Sequence, residues 1–375
     1  MARRLAHARD GPGRAVAAFI LACVRLPARP PDAPVRIVHL PTGTGGHPLG
    51  LSRAERELGF TSDVVDFTPN YTGYPADRVF DLTGRGAAAR LAARLRFIAQ
   101  AARHYDLFHF NAGAPALALR TRHGVFTELP LLKRLGKTIV VTWQGCDVRP
   151  RSACPWCERP ECIQHGPWRA ADASAMLKHA DRAIFINPDL RRYLPGASYL
   201  PYASVDVAAI DPEPLPDRET LVIAHAPTNP LVKGTPHVVA AVEQLRAEGL
   251  DVELDLITGV ASHEAIERIA RADLLVDQLH LGWYGGVAVE GMALGRPVVC
   301  FINEADNPYG PSLPIARAEP ATIKDVLAAL ASDRARRAAL AADGRAFALA
   351  EHDPRAIVRR YYEGLVPFPA PQSGG

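Results

Sequence analysis

Lysine is nearly missing from this chain: of its 43 basic residues only five are lysines, at positions 133, 137, 178, 233 and 324. Together with the richness in alanine this looks like the usage of a GC-rich genome, and it makes each surviving lysine worth a reason beyond surface charge. An excess of one sign is missing too. The formal net charge is +3, and once the first 34 residues, with six Arg against two Asp, are set aside, the remainder is close to −1. That balance excludes a protein that binds nucleic acid through bulk charge. Long apolar runs are scarce as well: Ala15–Val24 is ten residues, half of what a membrane-crossing helix needs. What remains is a globular composition, 48% hydrophobic and 22% charged, in 375 residues, a length that suggests two domains.

Residues 1–34 flank that apolar run with arginines. A signal-peptide reading stays open, since the run and the following "LPARP" are tolerable for one. The cysteine usage and the ligand chemistry below fit a reducing cytosol better. We read the segment as a basic extension suited to an anionic membrane surface, with an ordinary leader helix as the alternative, on a cytoplasmic protein with peripheral membrane contact.

From residue 35 strand-like and helix-like segments alternate, the signature of parallel sheets wound with helices. "VRIVHL", the Gly-rich "PTGTGGHPLG" and the helical "LSRAERELGF" open a doubly wound unit, and "DLFHF", "VFTELPLLKRLG", "KTIVVTW", "DASAMLKHA" and "RAIFIN" continue it. The Pro- and Asp-rich stretch 201–220 breaks the rhythm, which restarts at "LVIAHAP" and runs through "PVVCFI". The expectation is an α/β chain of two doubly wound, Rossmann-like domains facing across a cleft: 35–205, a linker at 206–220, and 221–350, followed by a terminal helix over 351–368. Ligands bind such folds at the carboxyl ends of the strands.

At the first of those strand ends stand Gly43, Gly45 and Gly46, whose missing side chains let backbone N–H groups approach an anion. The equivalent turn of the second half, "APTNPLVKGTPH", sets Lys233 just before Gly234 and a new helix. An ammonium beside helix N–H groups is a phosphate site, against the plainer reading of a solvated loop lysine. In "LGWYGGVAVEGMALGRPVV", residues 281–299, Glu290 is the single charge on a helix otherwise apolar all round. A carboxylate there costs on the order of several kcal/mol unless something donates to it. The donor is either internal, an Arg or a backbone N–H, or it is a ligand hydroxyl, with Gly285 and Gly286 offering N–H groups to the same ligand's phosphates.

Four of the six cysteines, Cys146, Cys154, Cys157 and Cys162, crowd into one loop, 146–165, with His165 close behind. A Cys-x-x-Cys pair fits two corners of a tetrahedral zinc, and Cys146 with Cys162 or His165 supplies the rest, giving a closed, structural site. Reduced thiols, or disulfides in an exported protein, are the alternatives, and an iron–sulfur cluster is a weaker one.

The second-half motifs "IAHAPTNPLVKGTPHVVAAVEQL" and "ARADLLVDQLHLGWYGGVAVEGMALGRPVV" resemble the retaining GT-B glycosyltransferases of family four, which use nucleotide-sugar donors. The resemblance extends more faintly to "GGHPLGLSRAERELGFTSDVV", "VTWQGCDVR" and "RAIFINPDLRRYLPGASYLPYASVD". "DPRAIVRRYYEGL" is similar to the family's last helix, which crosses back onto the first domain. It implies that Lys233 contacts the donor diphosphate, Glu290 holds the ribose hydroxyls, and Gly45 and Gly46 close over the diphosphate, with no metal required for catalysis. It also implies a sugar transferred with retention, the leaving diphosphate assisting acceptor deprotonation.

Three positions depart from the family pattern. Gly282 replaces the Glu eight residues before Glu290, Pro230 stands near where an Arg is common, and Gln144 replaces a first-domain His. Gln278, Trp283 and Tyr284 are candidates to take over at the sugar, and Gln278, Tyr284 and Gly234 complete the expected donor-binding set. The activity implied is glycosyl transfer to an unspecified acceptor in polysaccharide, glycolipid or natural-product assembly. The alternatives are a non-catalytic nucleotide-sugar-binding scaffold and a GT-B epimerase.

Overall fold

Strands buried on both faces read as short, uninterrupted apolar runs, and such runs pair in parallel only when helices cover both sides. The computed structural model, which describes residues 24–30, 33–67, 74–117, 119–121, 124–150, 153 and 170–369, builds two sheets of this kind. They belong to two compact units, one comprising the described residues up to 200 and those from 358 onward, the other residues 201–357.

In the first unit seven strands pair in parallel in the order β3-β2-β1-β4-β7-β8-β9. They are β1 (Arg36–Leu40), β2 (Thr61–Asp66), β3 (Arg78–Val79), β4 (Leu107–Phe110), β7 (Thr138–Trp143), β8 (Arg182–Phe185) and β9 (Ser198–Tyr199), with β5 (Leu119–Thr121) and β6 (Gly124–Phe126) forming a separate antiparallel pair. The helices are α1 (His47–Glu57), α2 (Ala87–His104), α3 (Leu129–Arg134) and α4 (Ala170–Leu177). α2 turns Phe97, Ile98, Ala101 and Ala102 into the core, with Phe97 edge-on to Phe67 and Phe80 at 5.3 and 5.2 Å. The segment "VFTELPLLKRLG" is not one helix: Gly124–Phe126 pairs as a strand, and the helix begins only at Leu129, with Pro130 in its first turn.

The second sheet, also parallel, runs β11-β10-β12-β13-β14. Its strands are β10 (Leu221–His225), β11 (Val252–Leu256), β12 (Leu274–Val276), β13 (Val298–Cys300) and β14 (Ala316–Arg317). Around it lie α5 (Pro230–Lys233), α6 (Thr235–Ala247), α7 (Ser262–Arg271), α8 (Gly286–Ala293), α9 (Ile323–Ser332) and α10 (Arg334–Glu351), followed by α11 (Pro354–Tyr362). Ile223, Leu274 and Val276 pack against Val238, Val242 and Leu245 of α6 and Leu327 and Leu330 of α9. Strand order reverses between β10 and β12, which makes the carboxyl ends of those two strands the expected ligand position. The segment read as a linker, 206–220, packs on this unit: Arg345 donates to the carbonyls of Val207 and Ile210, each at 2.7 Å, and Arg296 to that of Pro214 at 3.2 Å. Proline-rich chain offers carbonyls without a ladder, and the guanidinium groups of buried Arg296 and half-buried Arg345 take them.

The end of α11 belongs to the first unit and is held there by polar groups. The Tyr362 hydroxyl donates to Glu55 at 2.6 Å, His39 Nε2 lies 2.9 Å from the same carboxylate and Ser62 donates to it at 2.5 Å. His47 Nε2 meets the Tyr361 hydroxyl at 3.0 Å, and His109 Nε2 meets Thr142 Oγ1 at 2.7 Å. No helix among the described residues is long and apolar enough to cross a membrane.

Candidate functional site

β10 ends at His225, which is fully buried. Its Nδ1 lies 2.8 Å from the Val276 carbonyl and must donate, so Nε2 accepts from Thr235 Oγ1 at 2.8 Å. Burial holds this imidazole below its ordinary pKa, and the neutral ring ties β10 to β12 and to the first residue of α6. Asn229 then caps a single helical turn by accepting from Val232 N, with Pro230 in its first position. That turn ends at Gly234, φ +82°, where a Cβ would stand 3.0 Å from that of Leu279. The left-handed glycine swings the chain straight into α6 and leaves Lys233 at the elbow.

Opposite the elbow, β12 runs into Asp277. Its carboxylate, fully buried, accepts from Lys233 Nζ at 2.9 Å and from Gly285 N at 2.6 Å. Gly285 is the N-cap of α8, so the N–H groups of Gly286 and Val287 that follow have no acceptor within the helix. One turn further on is Glu290, partly buried, to which no described residue donates a hydrogen bond. Burial pushes its carboxyl up to about 7, with the negative Asp277 adding to the effect. Ser204 Oγ, buried without a partner among the described residues, is 3.5 Å from where a Cβ on Gly286 would lie. An ammonium and, without partners among the described residues, helix N–H groups, a hydroxyl and a carboxyl thus share one end of one sheet. The first three suit a phosphate, the last suits a diol.

Lys233, Gly234, Gly285, Gly286 and Glu290 stand at this end of the second sheet, whereas the side chains of Gln278 and Tyr284 are buried. Gln278 is fully buried, its Nε2 donating to the Trp283 carbonyl at 2.8 Å and its Oε1 accepting from His280 N and Leu281 N at 2.7 and 2.6 Å. Tyr284 is buried with its hydroxyl 3.0 Å from His352 Nε2, and Trp283 is buried 4.6 Å from the Tyr284 ring. All three side chains are engaged with the loop between β12 and α8 or with His352. Gly282 belongs to the same loop. Its φ is +71°, its carbonyl accepts from Asn303 N at 2.8 Å, and a Cβ would stand 3.1 Å from that of Asn303, so a glutamate there would strain the backbone and crowd the neighbour. Asp277 and Ser204 were missed by the sequence reading. An acid at a strand end directly facing a glycine-rich helix start is the signal that could have found the first.

In the first unit the glycine turn also forms at the carboxyl end of β1. Gly43 N donates to Asp66, and Gly45 and Gly46 have φ +74° and +71° just before α1. A Cβ on Gly46 would stand 2.7 Å from the Tyr74 ring, and one on Gly45 would stand 3.6 Å from Gln144 Oε1. The Gln144 Nε2 atom is buried with no partner among the described residues. Cys146 follows β7 and is half-buried; Cys154, Cys157, Cys162 and His165 lie outside the described residues. Among the described residues, His39, Glu55 and His109 group closely enough to ligate a metal. His39 already bonds to Glu55, which also takes Ser62 and Tyr362, and His109 bonds to Thr142 and meets Tyr362, which makes the group an anchor for the end of α11.

No protein-family model and no curated protein matches the chain. Solved structures do. Sucrose-phosphate synthase from Thermosynechococcus elongatus superposes with TM-score 0.59 at 16% identity over 88% of this chain and 97% of that one. Anabaena HepE, in a complex with UDP, gives TM-score 0.60 at 15% identity over 89% and 99%. WaaG, a glycosyltransferase involved in lipopolysaccharide biosynthesis, gives 0.53 at 14% over 88% and 100%. Two units with all-parallel sheets of seven and five strands, matched over nearly the full length of these proteins, are the fold of the GT-B glycosyltransferases.

Proposed function

We propose that the chain is a glycosyltransferase that takes a sugar from a nucleotide-sugar donor and transfers it with retention, in polysaccharide, glycolipid or natural-product assembly. One observation carries this reading: Lys233, the first N–H groups of α8 and Glu290, to which no described residue donates, share the strand-order reversal of the second sheet. Lys233 and the helix start would take the diphosphate, and Glu290 the ribose hydroxyls. As the sugar leaves, negative charge grows on the diphosphate, and a fixed cation with oriented N–H groups stabilises that change. The UDP bound to HepE, a protein of the same fold, supports a nucleotide-sugar donor.

A second reading, a non-catalytic nucleotide-sugar binder, is favoured by Gly282, where the backbone itself disfavours the family's first glutamate. Incubation with a panel of UDP- and GDP-sugars without acceptor separates the two. Slow, time-dependent release of the nucleoside diphosphate, lost in Glu290→Ala and Lys233→Ala, is the expected result. Donor-induced thermal stabilisation without any release, at any enzyme concentration, would leave only the binder.

A further inference from the structure

The charges at this site do not make a simple anion trap. The cation that a diphosphate would meet, Lys233, is already opposed at 2.9 Å by Asp277, and the same carboxylate takes the Gly285 N–H at 2.6 Å. An anion-binding site ordinarily leaves both groups open. The surroundings are shaped to keep them paired. Gly285 has no side chain, and a Cβ there would stand 3.2 Å from Lys233 Nζ, so a larger residue would crowd the ammonium. Leu279 N donates to the Lys233 carbonyl at 3.1 Å, a second tie between the same two loops. The Cys300 thiol lies 3.8 Å from the Asp277 carboxylate, and no other cation is bonded to it among the described residues.

Resting on the donor-site reading above, we propose that Asp277 is a specificity-determining residue: it compensates Lys233, so that the site rejects bare polyanions and admits a diphosphate only when it also brings hydroxyls for Glu290. A small polyanion gains from Lys233 only in competition with Asp277, and the fixed carboxylate repels it directly. A nucleotide-sugar meets the same repulsion but adds ribose contacts to Glu290. Selection against free pyrophosphate then comes from a charge placed behind the lysine, with no contact between Asp277 and the ligand.

The experiment is titration of the full-length chain with inorganic pyrophosphate and with UDP, for the wild type and Asp277→Asn, at low and high NaCl. Asparagine keeps the size and an acceptor for Gly285 N while removing the charge. The expected result is pyrophosphate bound about tenfold tighter by the variant with a steeper salt dependence, and UDP changed less, so that the UDP-over-pyrophosphate preference narrows. Pyrophosphate binding unchanged or weakened in the variant overturns the inference and makes Asp277 a structural brace. Should the variant not fold, the wild type decides alone: a compensated lysine predicts pyrophosphate binding weak and nearly salt-independent, and strong, steeply salt-dependent binding overturns it. A wild type that binds no UDP at all removes the donor-site reading, and this inference with it; one that binds UDP normally isolates the test on Asp277.

Discussion

Each unit carries a glutamate sunk into its α/β framework, and the two are treated in opposite ways. Glu55 receives hydrogen bonds from His39, Ser62 and Tyr362 at 2.5 to 2.9 Å. Burial works against its charge, yet His39 and the hydroxyls outweigh burial and hold the carboxyl below its ordinary range. Glu290 receives nothing from the described residues, and burial with Asp277 nearby pushes it up to about 7. A satisfied buried carboxylate organises a fold; an unsatisfied one is kept for a ligand. The difference was invisible in composition, because both residues lie on helices following glycine-rich turns.

The largest expected effect is on the satisfied side. Glu55→Ala leaves His39 and two hydroxyls buried without their acceptor and releases the end of α11. Urea denaturation should show a loss of about 3–5 kcal/mol. A loss below about 1 kcal/mol would erase the contrast. On the unsatisfied side, Glu290→Gln should move stability the other way. Between pH 4.5, where the unfolded carboxyl ionises, and about 7, the folded carboxyl retains its proton, so the folded state binds more protons and stability falls as pH rises. Removing the charge should therefore raise stability by roughly 2–3 kcal/mol at pH 8 and by almost nothing at pH 4. Donor turnover in the same variant should fall by about a hundredfold, the pattern of a site that trades stability for binding. Equal stability of wild type and variant at pH 8 would place a hidden partner on Glu290.

The next effect is on affinity. On the proposed donor reading only an ionised Glu290 would accept from both ribose hydroxyls, so UDP-sugar binding should weaken as pH falls below about 7, by up to roughly tenfold per unit, and the profile should flatten in Glu290→Gln. Calorimetric titration from pH 8 to pH 5.5 would check it. Glu55, already ionised throughout that window, should leave no trace in the profile.

The strand, glycine turn and helix units were legible in the sequence because buried parallel strands write themselves as apolar runs and a left-handed residue such as Gly234 demands glycine. Lys233 and Glu290 stood out for the same local reasons, one scarce lysine at an elbow and one charge on an apolar helix. What was not legible depended on distance along the chain. The partner of Lys233 is 44 residues away, and the Tyr362 partner of Glu55 is 307 residues away. The internal hydrogen bonds of Gln278 and Tyr284 were not legible, because a polar group in a glycine-rich loop looks the same whether it faces a ligand or closes the loop on itself. Gly282 read as a missing acid, whereas its positive φ and the contact with Asn303 make it a backbone requirement.

The smallest expected effect sharpens the comparison most. Tyr362→Phe removes one hydroxyl from Glu55 and with it a longer contact, 3.4 Å, to His109 Nδ1, while the ring packs edge-on to Phe60 at 6.0 Å in either case. The carboxylate keeps His39 and Ser62, so the loss should be about 1–2 kcal/mol, that of a hydrogen bond to a charged group. Because one donor to the ionised form is gone, the Glu55 carboxyl should also rise toward its ordinary range. A depressed acid contributes stability that is present above its unfolded value, here 4.5, and lost as pH falls through the folded one, so the variant's deficit should be full at pH 7 and shrink in acid. UDP affinity should not move. If the deficit were the same at pH 7 and pH 3, the hydroxyl would be acting through packing rather than on the charge. Glu55 would then owe its low pKa to His39 and Ser62 alone.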